Sequence, residues 1–287
     1  MTGVGLFTLW LLGLTPASGR PQEAAQVSSW NRDRLVAWCI VPFDARHRGP
    51  AERASMVKSL GLTRVAYDWR EVNVPEFEEE IRQYQQQGIE FFAFWGWHDS
   101  IEPLITKYGI RPQIWMMFAT PDADTDEQRV RLAAEALLPM VEKTRTLKLS
   151  LALYNHGGWS GEPQNMVAVC EYLREHHDAQ HIGIAYNLHH AHDHIADFER
   201  QLELLRPWLL CLNLNGMNDN AQPKILPVGD GQHDLRILQA IRDSKYAGPL
   251  GIIGHREELD AEVSLRLNLQ GLKKSLEQLG ANAAETY

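Results

Sequence analysis

The chain is poor in cysteine: Cys39, Cys170 and Cys211 are the only ones in 287 residues. The number is odd and no two are closely spaced, so neither a disulfide framework nor a zinc knuckle is indicated. Cys39 and Cys211 lie inside apolar runs, where a thiol packs as a small hydrophobe, and Cys170 falls on a helical pattern. Basic runs are missing as well. No stretch of Lys or Arg exceeds two residues and the formal net charge is −9, so a nucleic-acid surface is not expected. No Gly-x-Gly-x-x-Gly follows the first strand-like run, which weighs against a dinucleotide-binding, doubly wound sheet. An apolar run long enough to span a bilayer is also lacking, so stable membrane insertion is not expected.

The most apolar N-terminal stretch, residues 4–14, is too short for a span and is followed by the small residues Ala17, Ser18 and Gly19. It reads as an export signal, although the residues before it carry no Lys or Arg. Residues 1–19 are therefore expected to be a signal peptide and 20–34 a polar lead-in. The protein would be exported, to a periplasm or the exterior.

What is present is an ordinary globular balance, 44% hydrophobic and 23% charged, arranged in a strict rhythm. Apolar runs at 35–41, 63–69, 90–97, 111–118, 148–155, 181–187, 208–214 and 249–255 alternate with helical patterns. The helices are expected at 50–60, 75–87, 100–108, 125–144, 163–176, 193–205, 234–244 and 259–279, with Asp124 or Thr125 capping the fourth. In the last, Val263, Leu265, Leu267, Leu269, Leu272 and Leu276 recur at helical steps. Runs apolar on both faces suit parallel strands covered by helices. Eight strand–helix units in roughly 245 residues predict a single (β/α)8 barrel over 35–280.

In such a barrel chemistry sits at the C-terminal strand ends. Those ends carry Asp44 and Arg46; Asp68, Trp69 and Arg70; Trp95, Trp97 and His98; Trp115 and Met117; Asn155 and His156; Asn187, His189 and His190; Asn213 and Asn215; and His255. Trp95, Trp97, Trp115 and Trp159 could offer flat apolar platforms, and Asn and His both donate and accept hydrogen bonds. Aromatic faces beside such groups suit a sugar, apolar on its C–H faces and hydroxylated at its rim. His156, His190 and His255 are the acid/base candidates, and Asp68 is the best carboxylate. His189 and His192 could instead cap the helix expected from Asp193 or face solvent. A glycoside hydrolase would need two carboxylates about 5–10 Å apart, and only Asp68 and Asp44 are clear at these ends.

From residue 35 to 279 the chain resembles the xylose isomerase-like barrels, the sugar phosphate isomerase/epimerase superfamily. The segments that carry the resemblance are LALYNHGG at 151–158, GIAYNLHHAH at 183–192, LNLNGM at 212–217 and GPLGIIGH at 248–255. The resemblance implies a divalent-metal site for sugar oxygens, held by a Glu ending the fifth strand, an Asp ending the sixth, a His ending the seventh and a Glu on the eighth. Here those places hold Tyr154, Asn187, Asn213 and Gly254-His255, while the His that follows the sixth-strand ligand is matched by His190. About three negative charges are thereby lost to a site for a hard cation. Two alternatives remain: a softer ion such as zinc on His156, His190 and His255, or proton transfer by His and Asp68 without metal. The resemblance implies an isomerase or epimerase acting on a sugar or keto-sugar beside its carbonyl, with a keto-sugar lyase or hydratase, or a non-catalytic carbohydrate-binding barrel, as alternatives. His156 and His190 would transfer protons, with His255 or Asp68 second. Arg70, Asn155, Asn187, Asn213 and Asn215 would orient the small carbohydrate, and Trp97 would stack on it.

Overall fold

The computed structural model describes residues 1–2 and 30–280. The expected export signal and most of the lead-in lie outside the described residues. Strands β1 (Leu35–Trp38), β2 (Arg64–Tyr67), β3 (Glu90–Trp95), β4 (Gln113–Met116), β5 (Leu151–Tyr154), β6 (Ile182–Asn187), β7 (Leu209–Leu214) and β8 (Leu250–Ile253) form one closed parallel barrel in chain order. Closure is by β1 on β8, with Leu35 opposite Leu250 and Trp38 opposite Ile253. Helices α1 (Pro50–Ser59), α2 (Phe77–Gln87), α3 (Ile101–Tyr108), α4 (Asp126–Leu147), α5 (Pro163–His177), α6 (Phe198–Leu205), α7 (Asp234–Asp243) and α8 (Ala261–Gln278) follow the strands in turn. The expected (β/α)8 barrel is thus the fold.

Local signals explain the boundaries. Pro50 and Pro163 open α1 and α5, where a missing N–H costs nothing. Thr125 caps α4 by accepting the Gln128 N–H at 3.2 Å. Two expectations need correction. The first strand stops at Trp38 because Cys39 takes a left-handed conformation (φ 59°) that breaks the extended backbone. The sixth helix begins at Phe198 rather than at 193, since single 3-10 turns at Leu188–His190 and His192–His194 come first. On α8, Val263 (42% exposed) and Leu267 (40%) face outward, while Leu265, Leu269, Leu272 and Leu276 bury.

Two apolar layers hold the barrel. The larger lies between strands and helices. The smaller fills the lumen, where Ala66, Ala152, Ala185 and Cys211 make room for Trp38 and Trp115. Buried ion pairs tie the outer layer: Arg53 of α1 meets Glu80 of α2, both buried. Asp44 accepts from the backbone N–H groups of Arg46, Arg48 and Ala261 and from the Arg48 guanidinium, fastening the β1–α1 loop to the start of α8. Burial acts to raise the Asp44 pKa, but these hydrogen bonds outweigh it and hold it below the ordinary carboxylate value. Asp44 is therefore structural, and the carboxylate pair that glycoside hydrolysis would need is lost. Among the described residues no helix is long and apolar enough to cross a membrane.

Candidate active site

The floor of the mouth is aromatic. Trp38, Trp95, Trp115 and Tyr154 pack in the lumen, with ring centroids 4.9 Å apart for Trp38–Trp115 and 4.4 Å for Trp95–Tyr154. Trp115 is 0% exposed and so is no open platform, contrary to expectation. Trp159 packs edge-on to Phe118 and donates its indole N–H to Asp126 at 3.0 Å. Trp97 donates to Asp99, and the Lys143 ammonium lies 4.6 Å from the centre of its ring, so one face already has a cation.

The asparagines above this floor divide into used and unused. Asn155 is buried; its carbonyl accepts the Asn187 N–H at 2.6 Å and its amide donates to the Asn187 carbonyl at 3.0 Å. Asn187 donates to the Tyr154 hydroxyl and accepts the His189 N–H at 3.1 Å. These two build the β5–β6 rim rather than offer free groups. Asn213 and Asn215 are buried yet incompletely paired: the Asn213 amide nitrogen and the Asn215 carbonyl oxygen have no protein partner. Asn213 stands opposite Gly251 in register, and a Cβ at 251 would lie 1.9 Å from its Oδ1. The glycine is there because the asparagine fills its place.

Across the mouth runs a string of imidazoles. Ring centroids are 4.2 Å apart for His156–His190, 4.4 Å for His190–His189 and 4.7 Å for His189–His255, and Phe43 stacks on His255 at 3.9 Å. Three sequence candidates are thus joined. His189, read from sequence as a cap or a solvent-facing residue, is 5% exposed and links two of them. The one available signal was its place two residues past Asn187, whose side chain folds it inward. Desolvation pushes the pKa of His190 down to about 3 and of His255 to about 4, helped by neighbouring imidazoles and by Lys224. His189 is pushed lower still, again chiefly by burial. These three are neutral bases at neutral pH. Lys224, on the β7–α7 loop, was not singled out by sequence; its charge acts on all three.

Asp68 completes the set. It is 2% exposed, takes the Val41 N–H on Oδ1 at 3.3 Å, and has no protein partner on Oδ2. Burial raises its pKa to about 7, against the opposing pull of Arg70. Arg70 makes no side-chain ion pair with it. Its guanidinium donates to the Asp68 and Trp69 carbonyls at 2.9 Å, lies 5.6 Å from the Phe43 ring centre, and is near enough to lower the pKa of His255.

These donors do not fit a divalent metal held in the manner the resemblance implies. Tyr154 is buried, its phenol pKa is driven far up by desolvation, and its hydroxyl is engaged with Asn187. Asn187 and Asn213 are neutral, and Gly251 leaves no room for a ligand on β8 at their level. Nor do the histidines gather round one point: His189 stands between His190 and His255, and among the described residues no three His, Cys, Asp or Glu side chains are set to hold an ion.

Comparison with known proteins places this geometry in a fold class. No sequence-family profile and no curated protein matches the chain. Solved structures do. A xylose isomerase domain protein from Alicyclobacillus acidocaldarius is similar over 86% of this chain and 100% of its own, with TM-score 0.59 and 14% identity. The 3-keto-D-glucoside 4-epimerase YcjR from E. coli is similar over 84% of this chain and 99% of its own (TM-score 0.63, 13% identity). The IolI protein with a bound zinc atom is similar over 85% and 98% (TM-score 0.65, 12% identity). The chain has the xylose isomerase-like TIM-barrel fold, and at these identities it is the fold that the likeness establishes.

Proposed function

We propose that the barrel mouth binds a sugar or keto-sugar and moves a proton at the carbon beside its carbonyl, as an isomerase or epimerase does. The observation that carries this reading is the string of desolvated neutral imidazoles across the mouth, with a buried carboxyl just past the end of β2, Asp68, whose Oδ2 has no protein partner and whose pKa burial raises to about 7. Groups pushed apart in this way supply a base and an acid at the same pH. His190 abstracts the proton and His156, 4.2 Å away between ring centres, relays it to solvent or to the opposite face. Asp68 offers its proton to the carbonyl oxygen as the enediolate forms, and Arg70 and Lys224 place positive charge near it. The free ends of Asn213 and Asn215 take hydroxyls. The names of the YcjR and xylose isomerase-domain neighbours agree with a sugar as substrate. Elimination or hydration of a keto-sugar would use the same enediolate and differ only in the leaving group. The apolar run at residues 4–14 supports export to a periplasm or the exterior.

The test is exchange in D2O, followed by proton NMR, across free ketohexoses and 3-keto-hexosides. Deuterium should enter beside the carbonyl with native protein. His156→Ala and His190→Ala should each slow exchange by about 100-fold or more while the dissociation constant moves little. A second reading rests on the floor: Trp38, Trp95, Trp115 and Tyr154 fill the lumen, and the mouth could serve only to bind a carbohydrate. Binding without exchange for every sugar tried would establish that reading and sink the first.

A further inference from the structure

We infer that the sugar this mouth receives is a 2-keto sugar acid, its carboxylate held by Arg70 and Lys224 at the His255 end of the histidine string; this rests on the reading above that the mouth binds a keto-sugar, and names its class. The loops that follow the eight strands carry five cations: Arg46, Arg48, Arg70, Lys224 and Arg256. Three are paired within the same rim. Arg48 meets Asp44 at 2.7 Å, Arg256 meets Glu258 at 2.8 Å and Arg46 reaches Asp260 at 4.0 Å. Arg70 and Lys224, both exposed, have no carboxylate partner among the described residues. Only Nη1 of Arg70 is engaged, on the Asp68 and Trp69 carbonyls, which leaves Nε and Nη2 to grip a planar anion side-on.

The two cations serve one end of the mouth. Arg70 lies 5.6 Å from the Phe43 ring centre, and Phe43 stacks on His255 at 3.9 Å. The Lys224 carbonyl accepts from the Asn215 amide at 3.4 Å, which ties its loop to the end of β7. Arg70 and Lys224 exert the strongest charge effects on His255, and no carboxylate of the described residues opposes them there. Nothing between them supplies the missing negative charge: the imidazoles are neutral and Asp68 is ionised only in part at neutral pH. A positive mouth on a chain of formal charge −9 selects an anion. Because Arg70 bonds the backbone of Asp68, the group assigned to the carbonyl oxygen, carboxylate and carbonyl are neighbours on the substrate. The buried His189 Nδ1 and Asn215 carbonyl oxygen, without protein partners, remain for hydroxyls. A phosphate is disfavoured. Phosphate sites on such barrels use free N–H groups of the loops after the seventh and eighth strands and of a helix start. Here the N–H groups of Met217, Gly229 and Gly231 go to Asp234, and those of Ala261 and Glu262 go to Asp44 and Asp260. A phosphate would meet three carboxylates in their place.

The experiment uses pairs that differ at one carbon: 2-keto-D-gluconate against D-fructose, and 2-keto-L-gulonate against L-sorbose, with the methyl esters of the acids and fructose 1-phosphate alongside. Binding is read by titration calorimetry and proton transfer by deuterium entry at C3. At least one acid should bind about 10-fold or more tightly than its ketose and its ester, and added salt should erode that advantage. Arg70→Gln and Lys224→Gln should each cut the advantage severalfold and together abolish it, whereas Lys224→Arg should keep it. Equal affinity for acid and ketose, an advantage that survives the double variant, or tighter binding of the phosphate overturns the sugar-acid assignment even if a neutral ketose exchanges deuterium. An advantage lost in the double variant, with no exchange in any compound, upholds it and overturns only the catalytic reading.

Discussion

Replacing Asp68 by Asn separates its electrostatics from its shape. Asn is nearly isosteric with the protonated carboxyl and can still accept the Val41 N–H on Oδ1. Asp68 has a folded pKa of about 7 against an ordinary 3.8. A raised folded pKa contributes stability that is whole below the unfolded pKa and is lost as pH rises through the folded one. Across that interval the wild type should lose about 4 kcal/mol that the Asn variant does not. Asp68 is buried, so solvent screening does not discount the figure. Urea unfolding of both proteins at pH 5, 7 and 9 gives the difference directly, and common titrations such as those of the histidines cancel. The variant's advantage should grow by about 2 kcal/mol from pH 5 to 7 and by under about 1 kcal/mol from 7 to 9. The same variant should lose about 100-fold or more in exchange rate, since Asn has no acidic proton to give. A stability difference flat with pH would refute the buried, proton-holding carboxyl. Growth with pH but unchanged exchange would leave Asp68 structural.

The histidines act with the opposite sign. His189, His190 and His255 have depressed folded pKa values, so the native state should weaken as pH falls below the unfolded value of 6.5, and His189→Gln should make acid unfolding shallower. Gly251→Ala should cost about 1–3 kcal/mol by urea midpoint, because Asn213 must move, and Asn213→Ala in the same chain should restore most of it. Arg53→Met should cost about 3–5 kcal/mol by leaving Glu80 buried and unpaired, whereas Arg53→Met with Glu80→Leu should lie close to wild type in melting temperature. Because the mouth lacks an anionic ligand set, chelation should shift neither melting temperature nor exchange rate, and elemental analysis should find divalent metal well below one per chain.

The barrel was legible because most of its information is local: each apolar run between polar helices states its own strand, and eight strand–helix units are the number a closed barrel takes. The site was only half legible, for a reason set by strand geometry. At a strand end successive side chains alternate between lumen and flank, and a shift of one residue changes a ligand into a wall. Tyr154 points inward onto Trp95, while the next residue, Asn155, turns sideways to clamp Asn187. Read along the chain, both were simply polar groups at the same rim. The same limit hid the exposure of Val263 and Leu267, which satisfy a helical step but lie off the buried stripe. What the chain could not state at all was pairing across it. Gly251 gives way to Asn213 38 residues earlier, and Lys224 charges a mouth whose histidines come from β5, β6 and β8. Such pairings decide the chemistry. Without room on β8 and without charge at Tyr154, Asn187 or Asn213, the place where the resemblance implies a cation holds instead neutral imidazoles and, at the end of β2, one buried carboxyl of raised pKa.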